Sequence, residues 1–422
     1  MAKQALSGEQ KTALDAASPK QVQIALGRFS GKKQSTWVSP THKYKDGQLP
    51  RDFTNSLPPS EITEAVSIRA PLHLIDGWGY LARALNALSS GAPHPARHLA
   101  YYAELRAALS ILASQGIGIF NTRTVVIAEQ GDISSFNGPT THTMAWFALQ
   151  NWADKAGAFD MIMSSMDISG VTLKDIFQEY FPSPAKQMLG SELISLWGFD
   201  LSVAANDHVD RNTSSYLPNE LLNISTNPAD DLKFIRDLWR SFQPTAFDLE
   251  KHLLRMLLEK QVGQIGRRTL AGRQKEYERI DPRFRRAVTR EFIERREEAD
   301  DHPILRTAAS RTEPSSVQEL TARACLLLRL ALALNLSCLS KVSVSPRDDL
   351  EFWWTEYGSS RGFWRPGEEP EDLSELWADV DLALSDAENA AATNRLDWLA
   401  AEPSGLPRLC ETERICLWAL CR

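Results

Sequence analysis

Helical periodicity dominates the chain. Apolar side chains three and four positions apart share one helical face, and from residue 71 onward that spacing recurs. It predicts a helix around Trp78 to Leu88 and a second beginning near His94, separated by Gly91-Ala-Pro93. In the second, Leu105, Leu109 and Leu112 form an apolar stripe. Beside it His98, Tyr102 and Arg106 stand at successive i, i+4 steps. A polar ladder flanking a core stripe either satisfies itself by internal hydrogen bonds, holding two helices in register, or faces a site. In both cases the three side chains are expected on one face and mostly buried.

The runs around Gly116-Ile-Gly118-Ile-Phe and Thr124-Val-Val-Ile-Ala are short and β-branched, with turn residues between them, so a small hairpin is expected there. A further helix is expected from about Thr143 to Ala156, carrying Met144, Trp146, Phe147, Leu149 and Trp152 and ending at Gly157. Another should run from Ala246 to Val262 with Leu249, Leu253, Leu254, Met256 and Leu257 at helical spacing. Two starts are written in capping chemistry. Ser18-Pro19-Lys-Gln21 offers an N-cap, a proline at the first helical position and a capping-box glutamine. Ser316-Val-Gln-Glu319 is a second capping box, launching an apolar helix that ends near Leu339. Within that helix Arg329 and Asn335 interrupt the run from Ala324 to Leu339, which is shorter than the roughly 20 residues of a membrane span and reads as a core helix.

The expected fold class is therefore mainly α with minor β: a helical bundle core, a second helical domain and a Trp-rich C-terminal appendage. The segments divide as 1–70 (basic N-terminal segment), 71–230 (helical core), 231–345 (helical domain with a basic stretch) and 346–422 (acidic and Trp-rich). Residues 31–47 are basic, aromatic and turn-rich, a loop or short hairpin whose Trp37 and Tyr44 stand among lysines. Such a segment is either an exposed loop or a place for single-stranded nucleic acid to stack.

Composition narrows the function classes. Hydrophobic content of 43% and charged content of 24% are those of an ordinary globular protein. A net charge of −7 argues against a wholesale nucleic-acid coat and leaves room for a local basic surface. That surface is expected between Lys251 and Arg296, where fourteen basic side chains meet six acidic ones. Arg283, Arg285, Arg286 and Arg290 are its candidate nucleic-acid contacts, the alternative being a solvated helical face. From Asp348 onward there are seventeen acidic and six basic residues and six of the twelve tryptophans, so this segment could dock on the basic stretch. The five cysteines lack the close pairs of zinc sites and read as buried thiols in a reducing cytoplasm. The N-terminus has no apolar run of a secretory leader. No cofactor and no metal are expected, since no metal motif, phosphate loop or nucleophile signature stands out; with Pro95 between them, His94 and His98 make a poor metal pair.

A second polar constellation lies at Asp207-His208-Val-Asp210-Arg211-Asn212-Thr-Ser-Ser-Tyr216. An Arg-Asn pair followed by tyrosine resembles the divergent edge of the HEPN superfamily, small helical bundles whose usual signature is Arg-polar-x3–5-His. In that family the arginine contacts the scissile phosphate and the histidine helps cleave RNA without metal, commonly in a composite dimer site. The resemblance puts Arg211 in the arginine role and Asn212 in the polar position, within residues 71–230. Tyr216 replaces the histidine and, with an unperturbed pKa near 10, is the weaker base. The other reading of Arg211 and Asn212 is a capping or turn network. His98 or His142 could supply the missing acid–base group, with Tyr102, Arg106 and Asn212 completing a polar network. His142, after Thr140-Thr141, gains weight if it approaches Arg106 or Arg211 in space.

Two functions follow as expectations. One is a cytoplasmic binding or scaffold subunit of a multi-protein bacterial system, of the antiviral-defence kind the resemblance implies, with protein partners, RNA or DNA as ligand and no membrane. The other is a metal-independent HEPN-like RNase using Arg211, Tyr216 and His98.

Overall fold

The computed structural model of the protein describes residues 6–28, 52–181, 188–201, 228–244, 248–265, 277–278, 281–287, 302–310, 312, 315–343, 345–389 and 405–421. Helices α1 (Gly8–Asp15), α2 (Pro19–Gly27), α3 (Phe53–Ser56) and α4 (Pro59–Ser67) lead into two long helices, α5 (Arg69–Ser89) and α6 (Pro93–Ser114). The turn between those two is made at Gly91, whose φ of 73° is a left-handed conformation that glycine adopts without strain. A three-stranded antiparallel sheet follows, β1 (Ile117–Phe120), β2 (Arg123–Ile127) and β3 (Ile133–Asn137), in the order β1-β2-β3. The expected hairpin is there, with Phe120 opposite Arg123 and Ile117 opposite Val126. The third strand was not foreseen, because Ile133-Ser-Ser-Phe-Asn137 is mostly polar and largely exposed.

Next come α7 (Thr141–Asp154), α8 (Ala158–Ser165), a two-residue hairpin β4–β5 (Asp167–Ile168 with Val171–Thr172), α9 (Leu173–Tyr180) and α10 (Gly190–Leu196). Helix α7 stops at Asp154. Gly157, with φ 91°, does not end it; it sits at the N-cap of α8 instead. The chain continues through α11 (Pro228–Ser241), α12 (Asp248–Ile265), α13 (Pro282–Ala287), α14 (Pro303–Ala309) and α15 (Val317–Leu339). It closes with α16 (Pro346–Asp349), α17 (Glu351–Ser360), α18 (Leu376–Asn389), α19 (Leu406–Leu409) and α20 (Glu413–Leu420). The protein is mainly α-helical with minor β, and its C-terminal region holds a tryptophan cluster.

Helices α5, α6 and α15 pack on one another and form the centre. Their close approach needs Gly77: a Cβ there would lie 2.5 Å from Leu328 Cδ2 and 3.4 Å from Arg106 Cβ. Helix α15 begins at its expected capping box, Ser316 Oγ accepting from Glu319 N at 3.1 Å and Glu319 Oε2 accepting from Ser316 N at 2.8 Å. The Ser18 cap also forms, but Gln21 reaches across to the Glu129 carbonyl instead of closing a box. Although α15 is long and apolar enough to cross a membrane, most of it is buried in the core. Its polar interruptions have partners inside: Arg329 pairs with Glu250 at 2.5 Å, and Asn335 donates to Ser110 Oγ at 3.0 Å and to the Ala331 carbonyl at 2.8 Å. Nearer its start Arg323 pairs with Glu104 of α6 at 3.2 Å, Glu104 being wholly buried.

One continuous set of buried side chains runs from Leu14 to Cys421. The acidic C-terminal segment contributes through Trp377 and Trp418, whose rings lie 6.3 Å and 6.0 Å from that of Trp239 in α11. Trp239 Nε1 donates to the Leu409 carbonyl at 2.9 Å. Arg414, fully buried, sits 4.4 Å over the Phe363 ring and pairs with Glu411 and Asp379. The acid that docks here meets α11: Glu388 pairs with Arg236 at 3.2 Å. All five cysteines are buried free thiols, and burial raises the Cys410 thiol to about 11.

Candidate anion-binding pocket

The polar ladder of α6 lies on one face, as its spacing requires, and it meets a second ladder on α5. There Arg69, His73 and Asp76 stand at i, i+4 and i+7. Arg106 Nη1 donates to His73 Nδ1 at 2.8 Å and lies 3.7 Å from the Asp76 carboxylate. Its guanidinium is 5.9 Å from the Tyr80 ring, which stacks on Tyr102 at 5.3 Å; Tyr102 in turn lies 4.9 Å from the His98 ring. His98, Tyr102 and Arg106 are each half-buried, not sealed. Register between two helices and an open polar face are thus achieved by the same residues.

Tyr102 and Arg106 face a cavity of about 720 Å³, within the range of small-ligand sites. Arg69 and His73 enter it from α5, Leu105 and Leu109 from α6, and Phe53 from α3. The β1–β2 turn closes the opposite side with Phe120, Asn121, Thr122 and Arg123. Asn121 holds φ 57°, a left-handed conformation that asparagine tolerates better than most residues. The first turn of α7 completes the wall through Thr141 and His142, Thr141 Oγ1 donating to the Asn121 carbonyl at 3.2 Å. The positive end of the α7 dipole therefore borders the cavity. His142 Nδ1 is hydrogen-bonded to the Tyr101 hydroxyl at 3.1 Å, which fixes the ring beside Tyr102.

Among the described residues, three arginines and no carboxylate line this cavity. Arg69 lies 5.4 Å over the Phe120 ring, and Phe120 packs edge-on against Phe53 at 5.0 Å. Arg123 Nη1 donates to the neutral hydroxyl of Thr54 at 2.6 Å. Guanidinium groups carry forked donors that match the oxygens of phosphate or carboxylate. The aromatic rings beside them offer a flat apolar surface. The cavity is chemically fitted to a ligand that joins an anion to a planar ring.

His73 is tuned to this setting. Burial first, then the charges of Arg106 and Arg69, hold its pKa well below 6.5. Because arginine has no acceptor, His73 Nδ1 must be the acceptor of the Arg106 bond, so the neutral ring carries its proton on Nε2. Below pH 6.5 the unfolded chain takes up a proton that the folded chain refuses, so His73 lowers stability as pH falls toward its folded pKa. We expect the urea midpoint to drop between pH 7.5 and 5.5 more steeply in the wild type than in His73→Gln, which keeps an acceptor for Arg106. Parallel pH profiles in the two proteins would refute this role for His73.

The cavity brings His142 and Arg106 to one place, the condition under which His142 gains weight, with Tyr102 between them. His98 belongs to the ladder but is not among the lining residues. Arg211, Asn212 and Tyr216 lie outside the described residues, as do Arg290, residues 31–47, and the side chains of Arg283 and Arg286. Arg285, on α13, is half-buried, donates to the Glu278 carbonyl and lies 5.9 Å over the Tyr277 ring. Arg255 is buried, its Nε 3.0 Å from Glu259. No group of three metal-ligating side chains occurs among the described residues. Sequence reasoning missed Arg69, His73 and Arg123. The first two carried a readable signal, since Arg69, His73 and Asp76 repeat the i, i+4 logic of the α6 ladder. Arg123 carried none, being one arginine at a strand start whose relevance depends on the sheet folding back over α5 and α6. No protein-family model, curated protein or solved structure matches the chain.

Proposed function

We propose that the protein is a binding component that holds the phosphate of a nucleotide or nucleic-acid strand in the α5–α6 cavity. The observation that carries this reading is the convergence of Arg69, Arg106 and Arg123 on one cavity that has no acidic lining residue among the described residues. The basic stretch between Lys251 and Arg296 is the competing surface. Polarisation titration of a labelled single-stranded RNA, with a DNA strand of the same sequence in parallel, decides between them. Binding should weaken steeply with salt as counterions are released, and it should be lost in Arg123→Gln. If Arg123→Gln binds normally while a quadruple alanine variant at Arg283, Arg285, Arg286 and Arg290 does not, the basic stretch is the ligand surface and the pocket reading fails.

A second reading has its own observation, the shared placement of Arg106 and His142. We propose that, if the ligand is RNA and turns over, Arg106 contacts the phosphate and His142 exchanges the proton, in a metal-independent cleavage of the HEPN-like kind. Labelled RNA incubated in EDTA should then be cleaved by the wild type and spared by His142→Ala. Intact RNA in both leaves binding as the function.

A further inference from the structure

Resting on the phosphate-pocket reading, we infer that the cavity also reads the base of its ligand, through the side chains of Asn121, Thr122 and Asn137 at its rim. The ligand class is then a nucleoside phosphate, not a sugar phosphate or a plain aromatic anion. The first argument is how the rim is held. Asn121 and Thr122 join β1 to β2, and Asn137 ends β3 opposite Arg123. The carbonyls of all three are engaged. That of Asn121 accepts from Thr141 Oγ1 at 3.2 Å, that of Thr122 from Gly138 N at 2.8 Å, and that of Asn137 from Gln10 Nε2 at 3.1 Å. Their side chains make no hydrogen bond among the described residues, and all three residues are exposed where they line the cavity. The backbone is fixed and the polar tips are left to a ligand, so binding has little ordering to do there.

The second argument is chemistry. An asparagine amide sets a donor beside an acceptor, and the Thr122 hydroxyl can act as either. A phosphate presents acceptors only and leaves half of that capacity idle. The edge of a base, where donors and acceptors stand next to each other, uses both. The floor of the cavity has a different character. His73 lines it and is buried, its Nδ1 takes the Arg106 bond, and its Nε2–H makes no hydrogen bond among the described residues. Arg106 and His73 thus offer donors at the floor, suited to phosphate oxygens, while the rim offers donors and acceptors together. The third argument is the ring surface. Phe120 directly precedes Asn121 and packs edge-on against Phe53 at 5.0 Å, which sets an aromatic wall beside the amides for a base to lie on.

A free nucleotide and a nucleotide within a strand share this chemistry, so the experiment separates them. Wild-type protein is titrated with AMP, GMP, CMP and UMP, with ribose 5-phosphate and phenyl phosphate as phosphates lacking a base, and with a short single-stranded RNA of the preferred base. We expect at least one nucleotide to bind about tenfold or more tightly than both base-free phosphates. Hydrogen bonds between neutral groups are each worth a few-fold in affinity, so that preference should shrink by about fivefold or more in the double variant Asn121→Gly, Asn137→Ala. Glycine keeps the left-handed backbone of residue 121 without strain. Asn137→Ala alone is the milder second variant, and thermal melting confirms that each folds. Tighter binding of the mononucleotide identifies a free nucleotide, and tighter binding of the RNA a strand; both support the inference. Nucleotides that bind no better than ribose 5-phosphate, all weakened by Arg123→Gln, overturn base reading while keeping the phosphate pocket. A preference unchanged in both asparagine variants overturns the rim as its source. Failure of every probe to bind overturns the inference and the phosphate pocket together.

Discussion

Replacing Arg106 and Arg123 together by glutamine is expected to weaken phosphate-ligand binding by roughly a hundredfold or more. A hydrogen bond to a charged group contributes about 1.5–3 kcal/mol, and each 1.4 kcal/mol is a factor of ten, so a single arginine accounts for roughly 10- to 100-fold. The two side chains come from separate elements and have different local duties. Arg106 also ties α6 to His73 of α5, whereas Arg123 holds only the Thr54 hydroxyl among the bonds seen for it. The single variants should therefore differ. Arg123→Gln should lose affinity with little change in melting temperature, and Arg106→Gln should lose both affinity and stability. The salt dependence should flatten in each, since fewer counterions are displaced. Undiminished binding by the double variant, measured by titration calorimetry with the folded state checked by circular dichroism, removes the cavity as the ligand site.

Local chemistry made much of the framework readable. The Ser316–Glu319 box, the Ser18-Pro19 start, the β1–β2 runs and the α6 ladder each depend on residues close in sequence, and each is realised. What was not readable depends on distant pairing. Strand β3 is recruited by β2, with Val125 opposite Ser135, despite a sequence that carries no alternating apolar pattern. The site shows the same division. Half of it, Tyr102 and Arg106, followed from helical spacing. The other half, Arg69 and Arg123, becomes a site only when α5 packs on α6 and the sheet lies over both. Ladder residues were expected to be mostly buried because a polar stripe beside a core stripe is usually covered. Here Tyr102 and Arg106 border a cavity and are half-buried, and His98, outside that cavity, is half-buried as well.

The largest stability effect is expected at the ion pair between Glu104 of α6 and Arg323 of α15. Both side chains are buried, Glu104 entirely, and Arg323 Nε lies 3.2 Å from Glu104 Oε1. Taking one partner away breaks a buried ion pair and leaves the other charge poorly compensated, which typically costs about 3–5 kcal/mol. Arg323→Met should lower the unfolding free energy by that amount, seen as a reduced urea midpoint with an unchanged slope. Glu104→Leu should do the same, since Arg323 cannot shed its charge. The double variant separates charge from packing. With both groups replaced by apolar side chains, neither desolvation penalty remains, and buried pairs exchanged in this way are often neutral or stabilising. The double variant should thus recover most of the loss suffered by either single one. Losses that simply add would mean that the two side chains act through separate packing contacts, and that the α6–α15 packing does not depend on their charge.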